Sequence, residues 1–211
     1  MKSENLSNIE KDVLREIANI GTGNAATSMS QLINQQVMME VPSVEVVTIN
    51  ELMDIIGGPE KLLVTILFRI EGEVTGTVYF ILTIEEAESL MRQMVNDDSI
   101  TINIDEEPDD LVISMLQEMA NILTGSYLSA LADFTGIKMT TTIPYISIDM
   151  AAATLVTGLV ELSEVTDYAI IIDTKITGND YGKGVKGHFL LIPDPTSIPK
   201  LFSTLGIDYE E

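Results

Sequence analysis

The sequence predicts an α+β protein made of one unit used twice, and three observations predict it. Glu16, Asn19, Gly23 and Pro42 recur as Glu118, Asn121, Gly125 and Pro144, each 102 residues later without a gap. Around them Ile20 matches Ile122, Thr22 matches Thr124, and Val44 and Val46 match Ile146 and Ile148. In each copy a helical apolar period gives way to strand-like alternation and then to turn signals, in the same order. The register continues at a shift of 111, where Gly76-Thr-Val-Tyr-Phe-Ile-Leu resembles Gly187-His-Phe-Leu-Leu-Ile-Pro. The nine added residues are assigned to the glycine-rich hairpin around 177–184.

Each element has a local reason. Ile9, Val13, Ile17, Ile20, Ala25 and Leu32 fall near the helical period, predicting a helix over 8–34, with Ser7 as N-cap and Glu10 completing a capping box. Val37, Val41, Val44 and Val46 then read as a half-buried strand over 37–49. Asn50 is placed to cap a short helix through Ile56, stopped by Gly57-Gly58-Pro59. Residues 62–70 and 74–82 read as strands joined by a Glu71-Gly72-Glu73 turn, and Thr83 caps a helix over 85–95. In the second copy a helix runs from Pro108, a favoured first-turn proline, to Phe134 and ends at Gly136. A strand over 139–148, a short helix capped by Asp149, strands over 168–177 and 185–192, and a helix near 196–205 complete the unit. The acidic, apolar-poor linker 96–110 divides a first repeat, 1–98, from a second, 108–211. Three strands alone would leave an edge and a face exposed. The repeats are therefore expected to pair about a pseudo-twofold axis in one six-stranded mixed or antiparallel sheet flanked by helices, as one interlocked domain.

Composition narrows the function. Of 211 residues, 45% are hydrophobic and 21% charged, which predicts a packed globule. Eleven basic against 33 acidic residues give a net charge of −22, which argues against nucleic acid or an anionic membrane as partner. The absence of Cys excludes disulfides, thiolate metal sites and thiol nucleophiles, and a single His, His188, leaves no His pair for a metal. No apolar run follows Lys2, and 150–160 is too short and too broken to span a bilayer. A cytoplasmic protein with no cofactor or metal of its own is expected.

Chemistry concentrates in Asp12-xxx-Glu16-xx-Asn19 and Ser114-xxx-Glu118-xx-Asn121, whose spacings place three side chains on one helical face. A polar stripe is ordinarily the solvated side of a helix. Here Glu and Asn occur in both copies while neighbours differ, Arg15 becoming Gln117 and Asn24 becoming Ser126. Asn has poor helix propensity, so folding alone gives little reason for it. Gly23 and Gly125 each cost a helix about 1 kcal/mol against Ala and suggest close helix packing.

With these residues in view, the chain resembles the CheC-type chemotaxis phosphatases, the family that includes CheX and FliY. Their motif is Asp or Ser, three residues, Glu, two residues, Asn, twenty-two residues, Pro. It matches twice, as Asp12/Glu16/Asn19/Pro42 and Ser114/Glu118/Asn121/Pro144, with the segments EIANIGTGNAATS and MANILTGSYLSALADF. The resemblance implies dephosphorylation of the phospho-aspartate of the response regulator CheY. Asn19 and Asn121 would position the hydrolytic water and Glu16 and Glu118 would grip a regulator Lys, while CheY would bring its own Mg²⁺. It also implies a second partner, the receptor deamidase CheD, for which Asp149 is a candidate contact as well as a candidate N-cap. A non-catalytic adaptor like the flagellar-switch protein FliM is the alternative. Other candidates are weaker. Gly21-Thr-Gly-Asn lies inside a helical pattern without a Lys, 105–110 lacks EF-hand spacing, and His188 reads as a structural or surface residue.

Overall fold

A computed structural model of the chain describes residues 8–104, 106–155, 168–178 and 184–206. In order these form α1 (Asn8–Ile33), β1 (Val37–Glu40), β2 (Val44–Thr48), α2 (Ile49–Ile55), β3 (Leu62–Gly72), β4 (Gly76–Thr83) and α3 (Ile84–Val95). The second half gives α4 (Asp110–Thr135), β5 (Met139–Thr141), β6 (Tyr145–Met150), a helical segment over 151–155 (α5), β7 (Tyr168–Gly178), β8 (Val185–Pro193) and α6 (Ile198–Thr204). The expected N-cap, Ser7, lies outside the described residues.

All strands join one antiparallel sheet, with six positions filled by eight strands. The two edge strands expected over 37–49 and 139–148 are each broken at a proline. Residues 41–43, around Pro42, and 142–144, ending at Pro144, drop out of strand, keeping the backbone bonds of Asp173 N to Ser43 O and Thr142 N to Arg69 O. Proline has no amide hydrogen to give a neighbouring strand. β1 and β2 both lie along β7, while β5 and β6 both lie along β3. The edge strands of each repeat therefore pair with a strand of the other.

The ladder registers locate the symmetry. Val44 pairs with Ile172 as Ile146 pairs with Ile66, which makes Ile66 the counterpart of Ile172. Ile66 pairs with Phe80 as Ile172 pairs with Phe189, which makes Phe80 the counterpart of Phe189. These two are themselves Cα partners, so the pseudo-twofold passes between β4 and β8 at this pair. The shift from β4 to β8 is thus 109, two short of the 111 that matching Gly76 to Gly187 suggested.

Both faces of the sheet are covered. Val64, Ile66, Phe68, Val78, Phe80, Phe189 and Leu191 point into the larger core beneath α1, α3 and α4. Leu63, Tyr79, Ile81, Leu190 and Ile192 point the other way, into a smaller core with Leu52 and Ile56 of the α2 region and Ala151 and Leu155 of α5. Burial on both sides explains why the central strands read as nearly continuous apolar runs.

Several caps differ from expectation. Thr48, not Asn50, caps α2, its hydroxyl accepting from Glu51 N while Glu51 reaches back to Thr48 N. Thr83 caps α3 with the same reciprocal pair to Glu86, as expected. α4 starts after Pro108, with Asp109 as N-cap accepting from Leu111 N, and ends as expected at Gly136, with φ 69°. β3 runs on to Gly72, whose φ of 124° turns the chain, so the hairpin turn falls over 73–75.

Candidate active site

The site is built on α1 and α4, which pack on the same face of the sheet and against each other. Leu14, Ile17, Ala18, Ala25 and Met29 are buried on α1, as Met115, Leu116, Met119, Leu123 and Tyr127 are on α4. The outward stripe carries the motif. Asp12, Glu16 and Asn19 are exposed on α1, and Ser114, Glu118 and Asn121 are exposed on α4. Spacings of four and three put successive Cβ atoms about 5–6 Å apart. The side chains of Glu16, Asn19, Glu118 and Asn121 have no hydrogen-bond or ion-pair partner among the described residues. Each is a donor or acceptor set held out to solvent.

The two stripes are not identical. Arg15 Nη2 lies 2.6 Å from Asp12 Oδ1, an exposed pair one turn from Asn19. Ser114 and Gln117 hold those places on α4 and carry no charge.

Gly23 and Gly125 do not lie in the helix contact expected for them. A Cβ on Gly23 or Gly125 would meet nothing within 4 Å, so neither glycine serves helix packing. Gly21 does. A Cβ there would sit 2.8 Å from Tyr127 Cδ1 and 3.0 Å from Tyr127 Cα. Tyr127 is fixed in turn by a 2.7 Å hydrogen bond with Thr174 Oγ1 and by the Phe189 ring, 4.4 Å away between centroids. Burial pushes its phenol pKa well above the usual value, with the Thr174 bond opposing. The contact of Gly21 with Tyr127 sets how closely α1 and α4 approach, and so how both stripes are presented. Only the helical phase of Gly21 marked it in the sequence.

Pro42 is exposed and Pro144 half-buried, each in the break between two edge strands rather than on the motif helices. Beside Pro42, Ser43 O accepts from Asp173 N at 3.0 Å, and Ser43 Oγ donates to Asp173 Oδ2 at 2.5 Å. Asp173 Oδ1 lies 2.7 Å from His188 Nδ1. The His188 bond holds the Asp173 carboxyl below its usual range; burial opposes this and the Ser43 hydroxyl adds to it. His188 is thus a structural residue, as expected. Val37 N donates to Ser30 Oγ at 2.9 Å, tying β1 back to α1.

Asp149 ends elsewhere than expected. It is exposed in β6, and its Oδ1 accepts from the adjacent Met150 N at 2.7 Å rather than capping a helix. The first amides of α5 go instead to the loop after α2, Ala151 N to Lys61 O and Ala152 N to Pro59 O. Gly21-Thr-Gly-Asn is continuous helix, with Thr22 Oγ1 donating to Ala18 O and Asn19 O. Among the described residues no group of three acidic or His side chains is placed to hold a metal, and no helix is long and apolar enough to cross a membrane.

Comparison with known proteins matches the same segments. The model of the CheC-like family matches twice, at residues 9–46 and 111–148, spans that differ by the same 102 residues and contain every motif position. The CheY-P phosphatase CheC of Bacillus subtilis is 39% identical over 197 residues, covering 93% of this chain and 94% of that protein. The flagellar motor switch phosphatase FliY of the same organism is 28% identical over 129 residues, 61% of this chain but only 33% of FliY. In fold, the crystal structure of Thermotoga maritima FliY gives a TM-score of 0.74 at 18% identity, covering 95% of this chain and 98% of that one. The FliM middle domain of H. pylori gives 0.68 at 13%, covering 94% and 99%. The likeness to FliY and FliM structures is one of fold, whereas the extended identity to CheC carries membership: the chain belongs to the CheC-like family.

Proposed function

We propose that this protein is a hydrolase that dephosphorylates the phospho-aspartate of a CheY-type response regulator. The observation that carries the reading is the pair of exposed Glu/Asn stripes, Glu16/Asn19 and Glu118/Asn121, whose side chains make no hydrogen bond or ion pair with any described residue. The B. subtilis relative, matched over nearly the whole of both chains, is a CheY-P phosphatase.

An acyl phosphate is already activated, so hydrolysis requires an in-line water more than a new nucleophile. The amide oxygen of Asn19 or Asn121 accepts a hydrogen bond from that water, while the NH₂ donates to a phosphoryl oxygen. A carboxylate there would repel the phosphoryl group. Glu16 or Glu118, one turn away, pairs with a regulator Lys and sets the approach. Mg²⁺ comes with the regulator. No covalent intermediate forms on this chain. Asp12 and Ser114 begin each stripe, and Pro42 and Pro144 sit in the breaks between the edge strands. The repeats 1–98 and 108–211 act as one interlocked domain in the cytoplasm, with CheD as a second partner meeting the region of Asp149.

A second reading, a non-catalytic adaptor, is favoured by the fold shared with the FliM middle domain. Phosphate release from phosphorylated CheY, with and without the protein, separates the two. Acceleration supports the phosphatase; regulator binding without acceleration supports the adaptor.

A further inference from the structure

Each motif helix carries a glycine four residues past its Asn, Gly23 after Asn19 and Gly125 after Asn121. A glycine inside a helix weakens it relative to alanine, and a structural need usually explains it. Gly21 shows what such a need looks like, because Tyr127 occupies the place of its Cβ. Gly23 and Gly125 show none. Neither has a positive φ, both are exposed, and an added Cβ would stand in open space. α1 and α4 are each continuous helices of 26 residues through these positions. The folded protein by itself would be at least as well served by alanine, twice.

Helix geometry says what the missing side chains would cover. Steps of four, three and four keep Asp12, Glu16, Asn19 and Gly23 on one stripe, and likewise Ser114, Glu118, Asn121 and Gly125. Helical side chains lean toward the N-terminus and lie over the preceding turn. A side chain at 23 would therefore lie over Asn19, and one at 125 over Asn121.

We infer that Gly23 and Gly125 are clearance positions, bare backbone that lets the phosphorylated surface of the receiver domain settle onto the helix so that the Asn amide reaches the phosphoryl group. The inference rests on the phosphatase reading and adds positioning residues to it. Neither glycine is a catalytic residue, since neither supplies a group to the reaction.

The test compares the parent protein with a Gly23→Ala, Gly125→Ala double variant and a Gly23→Gln, Gly125→Gln double variant. Three readouts are taken: thermal unfolding, binding of CheY activated with beryllofluoride, and steady-state hydrolysis of phosphorylated CheY. The alanine variant should melt no lower than the parent, yet show KM raised about threefold with kcat changed less than twofold, the signature of lost docking. The longer glutamine should lower kcat/KM and affinity about tenfold or more. Glutamine variants that bind and turn over like the parent would overturn the inference and leave the phosphatase reading intact. A parent that binds but does not hydrolyse would overturn the phosphatase reading, and the clearance role would then be decided by binding alone. A parent that does neither overturns both.

Discussion

Phe80 of β4 and Phe189 of β8 are Cα partners at the middle of the sheet, and each is the other's counterpart when the two repeats are exchanged. Both rings are buried in the core beneath the motif helices, and Phe189 also packs on Tyr127 of α4. Removing either ring from so closed a core should cost about 3–5 kcal/mol. Because the edge strands of each repeat pair with the other, Phe189→Ala should lower one cooperative unfolding transition and take both sites with it. Calorimetry checks this. Two separate transitions, with one stripe still active between them, would show that the repeats fold independently.

The same pair shows how far the sequence could be read. The motif stripes were legible because four- and three-residue steps on a helix leave little freedom about which face a side chain takes. The strand register was not. Matching Gly76 to Gly187 misplaced it by two residues, since a glycine reports a close approach rather than an equivalence. A Cβ on Gly76 would meet Ile192 O at 2.7 Å, and one on Gly187 would meet the Phe80 ring at 2.9 Å, from non-equivalent places along one seam. Thr48 was hidden as a cap because it continues a strand pattern. The Ser43–Asp173–His188 chain joins residues 130 positions apart and leaves no local signal.

That chain makes stability depend on acid. The folded Asp173 carboxyl gives up its proton more readily than in the unfolded chain, chiefly because of His188. As pH falls below about 4, the unfolded state takes up this proton first and the stabilisation drains away. Asp173→Asn should therefore be less stable than the parent at pH 7, with the gap closing at lower pH through the depressed value. Urea unfolding at a series of pH values measures it. A gap of constant size would assign the effect to packing alone.

Asp149→Lys should leave stability within about 0.5 kcal/mol, since the first amides of α5 are satisfied by Lys61 and Pro59 carbonyls and no cap is lost. Titration with CheD then reads the surface without a folding artefact. Binding by the parent that the variant loses supports the proposed CheD contact at this end of β6; binding unchanged in the variant, or none by the parent, removes it.

Reversing charge at the proposed docking position should act on KM. Glu16→Lys with Glu118→Lys sets a cation against the regulator's Lys and should raise KM by about tenfold or more while kcat holds, most steeply at low salt. A fall in kcat at constant KM would instead give these carboxylates a part in the chemical step.

The amides carry the sharpest expectation. Asn19→Ala should cost its stripe about a hundredfold in rate, by analogy with the loss of one positioned donor to a transition state, and leave the turnover of the α4 stripe. Asn121→Ala should leave that of the α1 stripe. The two residual rates, summed, should approach that of the parent, because each stripe is complete and exposed on its own helix. The double variant should lose turnover yet keep its stability, since Ala is the better helix former and neither side chain has a partner to lose among the described residues. Asn→Asp at both positions should rescue nothing, because it adds a negative charge where a phosphoryl group must settle. Single-turnover loss of phosphorylated CheY, measured beside thermal unfolding of each variant, decides the matter. Parental rates in the folded double variant would remove Asn19 and Asn121 from the mechanism and leave family membership untouched.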